Sequence, residues 1–234
     1  MSKIFCVIQA RLTSKRFPNK IFQKIGKRLA IEHVLSSCKD SISEKVLLVV
    51  PKDQKEIFEN QLSSIYNSKK ISIHGGSEDN VLDRYQTSLE EEGCQEEDIV
   101  VRITSDCFLI SPIFIDRSVS YFKEKTFDYI NNSTVTRVLS ADNPDDYQTD
   151  TDTPDGFNVE VFNFRSLIEA HNNATSQYDI EHVTPWIKRN KKCSVFNTGK
   201  ISLTGKFSVD TPEDLEIVRA LHTLIENNRI SFEV

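Results

Sequence analysis

The 234-residue chain predicts an α/β protein whose mostly parallel sheet is covered by helices on both faces. Three observations carry that expectation. Short apolar runs alternate with segments of helical spacing through the first half of the chain. The runs are near-continuously apolar, as in strands buried on both faces. The loop after the first run is dense in charge, at the strand end where open α/β sheets bind ligands.

Lys3 to Ala10 is the first strand, and Leu29 to Lys39 the first helix, with Val34, Leu35 and Cys38 near one face. Lys45 to Val50 is a strand ended by Pro51, and Gln54 to Tyr66 a helix through Ile57, Phe58, Leu62 and Ile65. Lys70 to His74 is a strand, and Glu78 to Glu91 a helix. Asp98 to Thr104 is the next strand, and Pro112 to Lys125 the next helix. Such alternation predicts βαβ units.

The pattern changes near Thr126. Phe127 to Asn131 reads as a strand, but Asn132 to Pro154 is polar and rich in Asp and Thr, which suggests a lid, flap or dimer arm. Phe157 to Phe162 alternates as a strand, followed by helical segments at Phe164 to Ala174 and Asp179 to Arg189. Phe207 to Asp210 reads as a short strand before a last helix. Thr211 is its N-cap, Pro212 its first residue and Asp214 the acidic residue three on. Without repeats or a low-complexity linker, the chain reads as one domain, 1–234, with an inserted segment at about 127–165.

Composition excludes several classes. No apolar run approaches the ~20 residues of a membrane span, and a hydrophobic leader is not evident. Five scattered cysteines without a Cys-x-x-Cys pair favour reduced thiols in a cytoplasm over disulfides or zinc. A pI near 5.5 argues against nucleic acid as the main partner. The acidic stretch Glu90 to Asp98 reads as a solvated helix end and turn.

The most informative segment is Arg11-Leu12-Thr13-Ser14-Lys15-Arg16-Phe17-Pro18-Asn19-Lys20, with four cations in a chain of net charge -6. Arg11, Arg16 and Lys20, with Ser14 as a neutral donor, suit a polyanion of phosphates. A solvated basic loop is the plainer alternative. Neither a Walker A loop nor a Gly-x-Gly-x-x-Gly fingerprint is present. Asp106 and Asp210 each follow a strand and suit Mg²⁺, which takes one or two carboxylates plus substrate phosphates; a turn residue and a helix N-cap are their structural alternatives. Gly75-Gly76-Ser77-Glu78-Asp79 either admits a ligand close to its backbone or is a turn capped by Ser77. Asp150-Thr151-Asp152 matches the Asp-x-Asp metal motif only superficially, since no apolar strand precedes it. His182 touches substrate or packs within its helix.

Ala10-Arg11-x-x-Ser14-x-Arg16-Phe17-Pro18-x-Lys20 resembles the N-terminal motif of cytidylyltransferases that make CMP-activated acidic sugars. The nearest branch is the spore-coat polysaccharide biosynthesis proteins, related to CMP-Kdo and CMP-sialic acid synthetases. The likeness continues through Gly76 to Leu82, Val101 to Cys107, Pro154 to Phe162, Glu181 to Thr184 and Val209 to Leu215. The resemblance implies a Rossmann-like three-layer fold of the nucleotide-diphospho-sugar transferase type, and a homodimer through the inserted segment. It implies CTP and an acidic sugar as substrates and Mg²⁺ as cofactor. Arg11, Ser14, Arg16 and Lys20 would hold the triphosphate, Asp106 and Asp210 the metal, and Gly76, Ser77 and Asp79 would lie near cytosine or ribose. Asp155, Glu160 and His182 would face the sugar. The chain departs from the family pattern at Ser105 for glycine, Phe108 for proline, Asn158 for aspartate and Ile180 for arginine, and Lys206 lies near a usual arginine. A GT-A glycosyltransferase or a catalytically weak nucleotide-binding homologue are the other readings.

Overall fold

The computed structural model describes residues 2–66, 69–132, 135–138, 147–149, 153–196, 205–227 and 229, with the backbone alone at 66, 135–138 and 147–149. A seven-stranded sheet forms the middle layer. Its strands are β1 (Ile4–Gln9), β4 (Lys45–Pro51), β5 (Ile71–Gly76), β6 (Ile99–Thr104), β7 (Tyr129–Asn131), β10 (Glu160–Asn163) and β11 (Cys193–Val195). Their spatial order is β11-β7-β10-β6-β1-β4-β5. All neighbours are parallel except β10, which runs antiparallel to β6 and β7. Two small hairpins stand apart from the sheet, β2 (Lys24–Ile25) with β3 (Arg28–Leu29) and β8 (Val135–Val138) with β9 (Tyr147–Thr149).

The period of two along each strand assigns its side chains to two cores. On one face Cys6, Ile8, Val46, Leu48, Val101 and Val161 meet α1 (Ala30–Asp40), α2 (Lys55–Gln61), α5 (Pro112–Glu124) and α9 (Pro212–Glu226). On the other, Phe5, Val7, Leu47, Val49, Val100 and Phe162 meet α4 (Val81–Glu91), α6 (Phe164–Asn173) and α8 (Pro185–Asn190). Helices therefore cover both faces of a mostly parallel sheet, as the alternating pattern predicts. No described helix is long and apolar enough to cross a membrane.

Several local expectations change. Residues 207–210 form no strand: Phe207 N–H donates to Asp155 and Val209 N–H to Asp106, so the backbone partners are two loops rather than a neighbouring strand. Buried Phe207 and Val209 alternate as strand residues do, which is why the sequence reads that way. The helix expected over 54–66 divides into α2 and α3 (Ser63–Tyr66), and that over 179–189 into α7 (Gln177–His182) and α8. The second break is at Val183, whose φ of 71° and ψ of -54° place a β-branched residue in a γ-turn closed by Thr184 N–H on His182 C=O. Helix α4 starts at Val81 with Asn80 as its cap, and not at Glu78 behind Ser77. Thr211, Pro212 and Asp214 form the expected cap of α9. Strands β7 and β10 take up the two ends of the segment at 127–165; Asp150, Thr151 and Asp152 lie outside the described residues.

Candidate active site

A cavity of about 570 Å³ opens at the carboxyl ends of β1 and β6. Arg11, Ser14, Lys15, Arg16 and Lys20 reach it from the basic loop, and Asp106 and Asp210 from two others. Arg84 and Val81 of α4, with Glu181 and His182 of α7, complete its wall. Five cations face three carboxylates there, so the cavity is positive within a chain of net charge -6.

The loop's shape follows from local anchors. Leu12 N–H donates to the buried Gln54 side chain at 2.8 Å, and Thr13 Oγ1 to Glu78 Oε1 at 2.8 Å. Asn19, at φ 56°, turns the chain into a 3-10 turn at Lys20–Phe22, a left-handed conformation that asparagine tolerates. Lys20 is thereby driven inward to 8% exposure. Its Nζ stands 3.2 Å from Asp210 Oδ1 and 3.6 Å from Asp106 Oδ2, and donates to the Val209 carbonyl. One ammonium thus joins the two carboxylates that the sequence singles out.

Asp210 also meets Arg16 Nη2 at 3.0 Å and Lys206 Nζ at 3.0 Å. Partial burial pushes its pKa up, but hydrogen bonds and charge from Lys206 and Lys20 outweigh that and hold it below the usual carboxylate value. Lys206 reaches Asp214 Oδ2 as well, at 2.9 Å. Asp106 is presented by a turn in which Cys107 N–H bonds to Thr104 and Ile110 N–H to Cys107. Neither Ser105 nor Phe108 adopts a positive φ, so the turn needs no glycine; Phe108 is buried in the core. Two carboxylates converging on a single cation position, beside a phosphate-type loop, fit the donor set of magnesium. No cluster of three or more metal-ligating side chains occurs among the described residues.

The remaining expected residues lie at varying distance from this centre. His182 is exposed at the rim, its ring 4.5 Å from that of Tyr178. Desolvation, opposed by Glu181 and reinforced by Arg102, Lys188 and Arg11, lowers its pKa, so it is a neutral imidazole at pH 7. Gly76 and Ser77 line a separate shallow recess with Lys52 and Asp53. A side chain at Gly76 would meet Arg84 Cγ at 2.8 Å, so this glycine admits Arg84. Asp79 is exposed and accepts from Gln177 through its backbone. Asp155 is outside the cavity lining, bound to the Ser208 hydroxyl and to Asn158 Nδ2. Glu160 is outside the cavity lining, buried among Arg102, Lys188, the Tyr129 hydroxyl and Thr184 Oγ1.

Gln9 and Arg84, which line the cavity, and Arg102, which donates to Gln9 from behind it, escape a motif-led reading. Arg84 leaves a signal, a cation at the buried stripe of α4 between Leu82 and Tyr85. Arg102 leaves another, a charge inside the apolar run of β6. Gln9 leaves none beyond its place at the end of β1.

A family model described as cytidylyltransferase matches residues 5–230. The chain is 35% identical over 189 residues to the uncharacterized protein MJ1063 of Methanocaldococcus jannaschii, covering 80% of this chain and 68% of that protein. It is 24% identical to the spore coat polysaccharide biosynthesis protein SpsF of Bacillus subtilis, over 95% of this chain and 87% of that one. Among solved structures, a cytidylyltransferase from Leptospira borgpetersenii superposes with a TM-score of 0.77 at 21% identity, covering 100% and 98% of the two chains. CMP:2-keto-3-deoxy-manno-octonic acid synthetase, complexed with CTP, superposes with a TM-score of 0.68 at 15% identity, covering 96% and 100%. The family pattern runs from the first strand to the last helix and shares one architecture with these structures: the chain belongs to the cytidylyltransferase family.

Proposed function

We propose that the protein transfers the cytidylyl group of CTP to a hydroxyl of an acidic sugar of the ulosonic-acid type, releasing pyrophosphate. The observation that carries this reading is the convergence of Arg11, Ser14, Arg16 and Lys20 with Asp106 and Asp210 on one cavity. CTP as the nucleotide is supported by family membership and by the CTP complex of a synthetase with this fold. The acidic acceptor is supported by the surplus of cations.

In-line attack of the sugar oxygen on the α-phosphorus forms one P–O bond and breaks another, with pyrophosphate leaving and the hydroxyl proton passing to solvent. Arg11 and Arg16 offer forked donors to the phosphate oxygens, and Ser14 a neutral one. Lys20 screens the two carboxylates so that they do not repel the incoming triphosphate. Asp106 and Asp210 are the groups that would hold magnesium, which when bound would offset phosphate charge and activate the hydroxyl. We assign the segment near 127–165 to homodimer contact, with light scattering on a sizing column as its test.

A GT-A glycosyltransferase is not favoured, because Thr104-Ser105-Asp106 stands where its Asp-x-Asp motif would follow an apolar strand. The retained basic loop and both carboxylates count against an inactive homologue. The decisive experiment is pyrophosphate release with Mg²⁺ across four nucleoside triphosphates and a panel of sugar acids. Release that requires CTP and one sugar acid supports the proposal; release of free nucleotide from a nucleotide-sugar overturns it.

A further inference from the structure

Gln9 ends β1 and lines the cavity, and its carboxamide is held in one orientation. Oε1 lies 3.1 Å from Arg102 Nη2 and 3.1 Å from the Tyr85 hydroxyl. A guanidinium only donates, so the amide oxygen, and not the nitrogen, faces Arg102. Burial pushes the Tyr85 hydroxyl up to about 12, so it stays protonated and donates as well. Both lone pairs of Oε1 are occupied. The amide NH₂ is turned away from this pair, and among the described residues it has neither a partner nor a buried position.

The charge behind Gln9 does not cancel. Arg102 pairs with Glu160 directly across β6 and β10, and Lys188 Nζ approaches the same carboxylate at 2.8 Å. Two cations therefore share one anion. Arg84, in the adjoining wall at 2% exposure, donates to the Ser77 carbonyl at 2.9 Å, and its Nε has no partner. Cations in excess of the carboxylates they face favour an anionic group in the space before them. None of these side chains belongs to the 11–20 loop that faces the phosphates.

We propose that Gln9 determines acceptor specificity, its fixed NH₂ donating to the carboxylate of the sugar acid in front of this cationic wall. The inference rests on the cytidylyltransferase reading and adds to it the residue that reads the acid. Replacing Gln9 by Glu tests it, because a carboxylate still accepts from Arg102 and Tyr85 while presenting a negative oxygen where the NH₂ stood.

Binding of 2-keto-3-deoxy-manno-octonic acid, of N-acetylneuraminic acid and of their neutral C1 carboxamides is measured by calorimetry with CTP present and divalent metal absent. At least one acid is expected to bind wild type tenfold or more tighter than its carboxamide. The Gln9→Glu variant is expected to lose that acid tenfold or more while its CTP affinity stays within twofold. Gln9→Met, which has the length but no donor, gives the same selective loss should the Glu variant fail to fold. Unchanged acid affinity in both variants, a fall in CTP affinity instead, or no acid binding to wild type each overturns the assignment. Pyrophosphate release separates the two readings: wild type that binds the acid through Gln9 yet releases none keeps the assignment and overturns the cytidylyltransferase reaction.

Discussion

Lys20 donates to Asp210 across 3.2 Å, and the same ammonium stands 3.6 Å from Asp106. Two carboxylates from distant parts of the chain are thereby held together by one buried cation. Lys20→Met keeps the aliphatic stem and deletes the charge. The carboxylates then repel each other, and the transferring phosphate loses a cation. Pyrophosphate release is expected to fall on the order of 10²-fold. Steady-state kinetics at saturating CTP check this, and activity within threefold of wild type would remove Lys20 from the site.

Asp210→Asn separates site from scaffold. Lys206 keeps its bond to Asp214, and Thr211 keeps its cap, so the fold has little to lose. The change in unfolding free energy is expected within about 1 kcal/mol, the scale of a partly exposed pair. Turnover is expected to fall by roughly 10²-fold or more. A urea titration beside a pyrophosphate assay reads both, and a large stability loss with proportionate activity would place Asp210 in the scaffold alone.

Glu160 behaves in the opposite sense. Burial pushes its pKa up, but Lys188 and Arg102 outweigh that and hold it far below the ordinary carboxylate value. A depressed folded pKa contributes stability that is fully present above the unfolded value of about 4.3 and is lost only as pH falls through the folded one. Glu160→Gln leaves Arg102 and Lys188 uncompensated and is expected to cost about 3–5 kcal/mol at pH 7. Chemical unfolding at pH 7 is the check; a cost under about 1 kcal/mol would show that water already reaches the network.

Asp214 supplies a pH window. Desolvation opposes its ionisation, but Lys206 and the N–H groups of Asp210 and Thr211 together outweigh it and bring its pKa down to about 2. Its stabilising effect is therefore complete above about 3.9, the unfolded value, and is lost as pH falls from there towards about 2. Asp214→Asn is expected to lose about 1 kcal/mol at neutral pH, on the scale of a helix cap. Urea midpoints from pH 5 to 2 should fall more steeply in wild type than in the variant, and parallel curves would refute the assignment.

Much of this was legible in the chain, and the exceptions share a cause. Strands such as Ile4–Gln9 and Ile99–Thr104 announce themselves because burial on both faces requires unbroken apolar runs. Thr211, Pro212 and Asp214 announce a helix start because capping is local chemistry. Lys20, Asp106 and Asp210, singled out by their charge after apolar runs or in the basic loop, come together, although the run before Asp210 is not a strand. By contrast, Phe207 to Asp210 carries a strand's side-chain pattern, but its hydrogen bonds go to loops that no local rule locates. The orientation of Gln9 depends on Arg102 and Tyr85, partners remote in sequence. Strand Cys193–Val195 is three residues long, too short for periodicity to register.

Gly156 links the far loop to Asp210 and provides the sharpest backbone test. Its φ is 102°, a conformation that L side chains rarely adopt. A Cβ there would lie 2.5 Å from the Phe207 carbonyl carbon and 2.6 Å from Ser208 N. Those backbone atoms cannot give way without moving Val209, whose carbonyl accepts from Lys20, and Asp210 beside it. Gly156→Ala is expected to cost about 3 kcal/mol or more and to lower turnover further than the stability loss alone explains. Gly93, at φ 74° with nothing within 4 Å of a built Cβ, is the control. Its alanine variant bears only the conformational cost of about 1 kcal/mol and should retain full activity. Unfolding free energies and pyrophosphate release on the two variants decide the matter, because equal losses at both positions would mean that contact with residues 207 and 208 contributes nothing to the site.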